Sequence, residues 1–154
     1  MIEKPLTLPC GHTLDNRIGK AAMTEGLADA QDRPTAAHQR LYRTWAEGGA
    51  ALLLTGNIMI DRRYLERAGN VVAEDAAIVA PMRAWADATH AGGSTLWAQI
   101  SHPGRQCPRL VNRTPLAPSA VQLEIAGNFG RPREATEADI QDVIRRFAAT
   151  AGWM

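Results

Sequence analysis

The stretch Ala50 to Ile60 (AALLLTGNIMI) limits the possible folds of this chain more than any other. It is apolar almost without interruption, so it lacks the alternation of a strand with one wet face. It is also too short to cross a bilayer as a helix. A strand buried on both faces fits it, and such strands belong to parallel sheets covered by helices. The Gly48-Gly49 pair just before it is a helix stop, so a helix should lead into this strand.

That helix is legible. Thr35 can cap it, Pro34 blocks an earlier start, and His38, Leu41, Tyr42, Trp45 and Ala46 recur at helical spacing. Arg17 to Thr24 (RIGKAAMT) reads as a preceding strand, though poor in β-branched residues. After the apolar run, Glu74-Asp75 open a second helix with acidic residues at its positive end. Its apolar stripe is Ile78, Met82, Trp85, Ala86 and Thr89, and Gly92-Gly93 end it. Ser94 to Ser101 (STLWAQIS) is a third strand. From His102 to Ala135 the chain is rich in Pro, Gly, Asn and Arg, and so long a loop is expected to be functional or disordered. Thr136 starts a third helix with Asp139 in a capping-box position and Ile140, Val143, Ile144 and Phe147 on its buried face. Another strand should begin near Gly152-Trp153-Met154.

Strand and helix in strict alternation imply a parallel sheet with right-handed crossovers. Two architectures follow, a doubly wound sheet or a (β/α)8 barrel. No G-x-G-x-x-G and no P-loop follows any strand, which weakens the nucleotide-binding doubly wound fold. With 154 residues, 45% of them hydrophobic, the chain can bury one core. Its 17 basic and 16 acidic residues leave a net charge of +1, which gives no pull toward nucleic acid or a membrane surface. Aromatics at 5% do not signal an RNA-stacking surface. Met1-Ile2-Glu3-Lys4-Pro5 has no apolar signal core, so the cytoplasm is the expected location. Cys10 and Cys107 have neither disulfide-framework nor metal-ligand spacing, and no metal is expected.

In either architecture chemistry sits at the C-terminal ends of the strands. Those ends are Met23-Thr24, Thr55-Gly56-Asn57 and Gln99 to His102. A thioether beside a hydroxyl, a glycine that permits close approach, and an amide with donors and an acceptor suit a planar heterocycle better than a metal. Each residue also has a structural reading: Thr24 as a cap, Gly56 as a strand irregularity, Gln99 as a satisfied core amide. His102 in His102-Pro103-Gly104-Arg105 would orient a ligand or shuttle a proton, or else hold the loop through a backbone carbonyl. His12, His38 and His90 read as structural. Arg105, Arg109, Arg113, Arg131 and Arg133 suit either an anion or a solvated loop. Serine–histidine catalysis is unsupported, since there is no G-x-S-x-G.

Taken together these segments resemble the old yellow enzyme family, the FMN-dependent NADH:flavin oxidoreductases. Leu14-Asp15-Asn16-Arg17-Ile18 followed by Ala22-Met23-Thr24 is similar to the family's first strand, and Leu53 to Asn57 to its second strand end. Gln99-Ile100-Ser101-His102-Pro103-Gly104-Arg105 is similar to its Q-x-x-H-x-G-R segment, and Leu116-Ala117-Pro118-Ser119-Ala120 to its A-P-S-A loop. The resemblance implies Ala21, Ala22, Met23 and Thr24 along the isoalloxazine. It places Thr24 near the flavin C4 carbonyl, Gly56 near the ring, and Gln99 on the pyrimidine side. It implies FMN reduced by NAD(P)H, and hydride passed to an activated, enone-type small-molecule alkene; His102 and Arg105 would lie on the active-site face.

A whole barrel of this kind needs ~250 residues. The expected fold is therefore α/β, a partial (β/α)8 TIM barrel of about three units that does not close, with residues 1–154 as the N-terminal part of a single FMN-binding domain. The family's fourth-strand anion pair, its proton-donating Tyr and its phosphate site on the seventh and eighth strands would lie beyond Met154. Glu25-Gly26 stands where some members carry an active-site Tyr. The isolated chain is expected to be inactive and to self-associate; the alternatives are a non-catalytic remnant and a half-barrel completed by a partner chain.

Overall fold

A computed structural model describes residues 1–154. The apolar run forms strand β4 (Leu52–Met59), the centre of the main sheet. β3 (Gly19–Lys20) pairs parallel with its start, β5 (Val71–Val72) pairs parallel with its end, and β6 (Thr95–Ser101) runs parallel along most of its length. β6 pairs with no other strand. α1 (Ala36–Glu47) and α2 (Val79–Ala91) pack together and cover one face. The core between them holds Tyr42, Ala46, Leu53, Ile58, Met82 and Trp85. Trp85, the largest fully buried side chain, stacks edge-on against Tyr42, with ring centroids 4.8 Å apart. The sheet is thus parallel, as the alternation predicted.

The caps behave as the sequence implied. Thr35 accepts from Ala37 N–H, and His38 Nδ1 accepts from Thr35 N–H at 3.1 Å, closing a capping box with an imidazole in the usual Glu place. Thr136 and Asp139 close the second box, at the start of α3 (Glu137–Trp153).

The first strand is shorter than expected. Its ladder stops after Lys20 because side chains take over the polar groups of β4. Lys20 Nζ donates to the carbonyls of Leu54 (2.8 Å) and Ala21 (2.9 Å). The Tyr42 hydroxyl lies 3.2 Å from the same Leu54 carbonyl, and Gly56 N–H donates to that hydroxyl at 3.2 Å. With its hydrogen bonds taken in this way, the edge of β4 does not need residues 21–24 as strand partners.

Four other expectations are corrected. Asp75 caps a short 3-10 turn (Ala76–Ile78), so the second helix begins later than Glu74-Asp75. α3 continues through Gly152 to Trp153 where a strand was expected. Its predicted buried face is half open: Ile140 and Ile144 are 44% and 53% exposed. The helix is anchored instead at its far end, where the buried Thr150 hydroxyl donates to the Ala73 carbonyl at 2.7 Å and Trp153 reaches the core. The long loop is also less irregular than its composition suggested. β7 (Leu116–Ala117) and β8 (Arg133–Glu134) pair parallel across it, and Pro108 bridges Phe129. At the opposite end of the sheet β1 (Leu6–Thr7) and β2 (Thr13–Leu14) form a hairpin, whose turn sets His12 Nε2 3.0 Å from Thr95 Oγ1. No helix is long and apolar enough to cross a membrane.

Candidate functional site

The ends of β4 and β6 meet side chains from two loops in one hydrogen-bonded row. Asn57 on β4 lies in register with Gln99 on β6, so both side chains leave the same face of the sheet. Gln99 Nε2 donates to Asn57 Oδ1 at 2.6 Å, and Gln99 N–H donates to Thr55 Oγ1 at 2.9 Å. Thr24, just past β3, donates its hydroxyl to Glu66 Oε2 at 2.6 Å. Asn57 Nδ2 donates to that same oxygen at 3.0 Å. Arg67 donates to the other carboxylate oxygen through Nη2 (2.9 Å) and Nε (3.2 Å). The row therefore runs from Arg67 through Glu66 to Thr24 and Asn57, and on to Gln99.

Burial opposes ionisation of Glu66, but the hydrogen bonds from Thr24, Asn57 and Arg67 outweigh it and hold the carboxyl below the ordinary value of 4.5. At neutral pH it is a carboxylate and can only accept. Thr24 has one hydroxyl hydrogen, and Glu66 takes it. As arranged here, Thr24 offers lone pairs rather than a proton to anything beyond it.

Gly56 is explained by the chain itself. A Cβ at this position would lie 2.5 Å from the Met23 carbonyl, 2.6 Å from the Thr24 Cα and 2.6 Å from Glu25 Oε2. Its missing side chain is the space in which residues 23–25 rest against β4. Beneath it, Glu25 accepts a very short hydrogen bond from Tyr42, whose hydroxyl burial pushes well above its usual range. Lys20, lowered by burial, lies over the Trp45 ring at 4.7 Å. Ala21 and Met23 are exposed, Met23 by 52%, and Ala22 is half-buried.

His102 and Arg105 make no hydrogen bond to this row. His102 Nδ1 accepts from Gly104 N–H at 3.1 Å, so the loop is held by an N–H rather than by the carbonyl contact expected. The ring packs on Tyr64 at 4.8 Å, and burial lowers its basicity. It lines a recess with Leu116, Ala117, Ala135 and Val143. Arg105 is exposed within the 3-10 turn Gly104–Gln106.

Glu66 and Arg67 were not singled out from the sequence. The signal was there in outline, as a charged pair in the loop that leaves a buried strand, where site residues concentrate. What the row can do follows from its free end. Gln99 keeps Oε1 and one Nε2 hydrogen for a partner outside the chain. That pairing matches a planar ring edge in which an N–H stands beside a carbonyl. No group of three His, Cys, Asp or Glu side chains is placed to hold a metal ion.

The family model described as NADH:flavin oxidoreductase / NADH oxidase matches residues 2–152. Among curated relatives, the chain is 38% identical to a protein named NADH-dependent flavin oxidoreductase iliE from Neonectria sp., over 96% of this chain and 22% of that protein. It is 35% identical to the protein of the same name from Hypocrea jecorina, over 96% of this chain and 41% of that one. Among solved structures, morphinone reductase superposes with a TM-score of 0.84 at 23% identity, covering 99% of this chain and 44% of that one. An old yellow enzyme homologue from Zymomonas mobilis gives 0.86 at 22% identity, over 99% and 44%. The chain thus spans less than half the length of each of these proteins.

Proposed function

Because the chain belongs to the NADH:flavin oxidoreductase / NADH oxidase family, the family of the old yellow enzymes, we propose that it carries the ring-recognition side of an FMN site in an oxidoreductase. The observation behind this reading is the Thr24–Glu66–Asn57–Gln99 row, which joins two strand ends to two loops and finishes in a free amide edge. The donor set fits the cofactor, because the pyrimidine edge of a flavin presents an imide N–H between two carbonyls. Bound FMN would take hydride from NAD(P)H and deliver it to the activated alkene of a small enone-type substrate.

The chain's own residues supply position. Gln99 would accept from the imide N–H and donate to a neighbouring carbonyl. Ala21, Ala22 and the Met23 thioether would form the surface along the ring, held against β4 by the space at Gly56. Thr24 would present its oxygen. The row contains amides, a hydroxyl and a carboxylate, and its one arginine is committed to Glu66. A phosphate favours arginine and backbone N–H donors. We therefore expect residues 1–154 alone to recognise the ring and not the phosphate, and to be catalytically inactive.

Titration with FMN and riboflavin tests this. Both should bind weakly and with similar affinity, and Gln99→Ala should weaken both by ~1–3 kcal/mol. An FMN affinity far above that for riboflavin, or no effect of Gln99→Ala, would count against it.

A second reading concerns association. The outer edge of β6 is unpaired, and Trp97 on that strand is 45% exposed. Open strand edges beside apolar side chains favour pairing with another chain. Residues 1–154 would then self-associate as a half-barrel. Light scattering across a dilution series would decide it, and a monodisperse monomer at all concentrations would exclude it.

A further inference from the structure

We propose that Glu66 is a positioning residue that sets the hydrogen-bond polarity of the whole row, so that Gln99 turns its carbonyl oxygen toward the ligand. A carboxylate accepts and never donates, so both groups that meet Glu66 Oε2 must donate to it. For Thr24 this consumes the hydroxyl hydrogen. For Asn57 it fixes the otherwise ambiguous amide, with Nδ2 toward Glu66 and Oδ1 toward Gln99. Oδ1 can only accept, so Gln99 must offer Nε2, and Oε1 is left on the free side. One charged group thus fixes two amides, the second of which it does not touch. Arg67 supports it by donating twice to Oε1, which favours the ionised form and holds the carboxylate in place.

The consequence is a ligand preference. A row ending in Oε1 selects a ring edge that carries an N–H, and discriminates against the same edge when that nitrogen is alkylated. It also means that Thr24, as hydrogen-bonded here, cannot donate to a ring carbonyl. This ligand preference rests on the flavin reading above, whereas the polarity of the row does not.

Glu66→Gln is the informative change, because it keeps the shape and adds a donor. Arg67 favours an oxygen at the Oε1 place, so the new NH2 falls at the Oε2 place, facing Thr24 and Asn57. Asn57 should then flip, presenting Oδ1 to residue 66 and Nδ2 to Gln99, and Gln99 should flip in turn. Side-chain amide NMR on the free chain reads this directly. In the wild type a through-hydrogen-bond coupling should join Gln99 Nε2 to the Asn57 carbonyl. In Glu66→Gln it should join Asn57 Nδ2 to the Gln99 carbonyl. An unchanged coupling pattern would overturn the proposal. Should Glu66→Gln not fold, Glu66→Ala keeps the test alive: without the carboxylate, both amide orientations should appear, and a single wild-type orientation would overturn it.

The ligand arm compares riboflavin with 3-methylriboflavin by saturation-transfer NMR. The wild type should favour riboflavin by about tenfold, the effect of losing one hydrogen bond at a semi-buried amide. Glu66→Gln should reduce that ratio to near one. A Glu66→Gln ratio that stays at the wild-type level would overturn the role of Glu66. If the amides invert as described but the wild type fails to discriminate the two flavins, the ligand preference and the flavin reading fail together while the polarity of the row stands.

Discussion

The two faces of β4 come from one apolar run and meet different fates. Leu53 and Ile58 point toward α1 and α2 and are fully buried. Leu52, Leu54 and Asn57, on the opposite face, are half-exposed, and their neighbour Trp97 is 45% exposed. The helix side is completed by side chains of this chain, held by Trp85 and Tyr42. The other side carries the polar row at its upper end and little that fills the space below it. Close packing therefore belongs mainly to one face and the polar row to the other.

Substitutions that strike each face separately should expose this division. The largest effect should come from the packed side. Trp85→Ala removes the biggest buried side chain between the two helices and the sheet, and should cost ~3–5 kcal/mol in urea unfolding. A loss under ~1 kcal/mol would mean that the helix face is not the stable one.

Gly56→Ala comes next. It lies at the boundary of the faces, and its Cβ would press on the backbone of Met23 and Thr24. The expected cost is ~1–3 kcal/mol, together with loss of the Thr24–Glu66 contact seen by NMR.

Acid should act on the row more gently. Glu66 and Asp61 are both held below their ordinary values of 4.5 and 3.8. For Glu66 the cause is the set of hydrogen bonds that outweighs burial. For Asp61, too, burial opposes ionisation, and the pairing with Arg63 and Arg146 prevails. A depressed folded value means stability that is complete above the ordinary value and is lost as pH falls through the folded one. Asp32, raised by burial, carries the opposite sign. Urea midpoints at about pH 6 and about pH 3 should therefore drop less in Glu66→Gln than in wild type. An equal drop would show that Glu66 contributes nothing to the acid limb.

The smallest change in stability should come from the open face. Trp97→Ser should stay within ~0.5 kcal/mol of wild type, yet reduce self-association in light scattering. A large loss of stability would show that Trp97 is packed in solution and would remove the contrast between the faces.

Much of this molecule can be read from residue order alone. The period of His38, Leu41, Tyr42 and Trp45, the stops at Gly48-Gly49 and Gly92-Gly93, and the caps Thr35 and Thr136 are local signals. They set helix positions because propensity, capping and periodicity act within a few residues. The buried run set β4 and Gln99 was visible as a strand-end residue, whereas Thr24, expected at the end of the first strand, lies in the segment after it. The partnership of Glu66 with Thr24 and Asn57 was not, because it joins residues 42 and 9 positions apart through a loop without periodicity. The same holds for the early end of β3, which depends on where Lys20 and Tyr42 place their polar atoms. It holds too for α3, whose apolar stripe fixed the helix but not what it would cover. Residue order determined the parallel sheet and its helices through short-range physics. Tertiary structure decided which hydrogen went to which oxygen, because a donor finds its acceptor only after the strands have brought distant side chains within reach of one another.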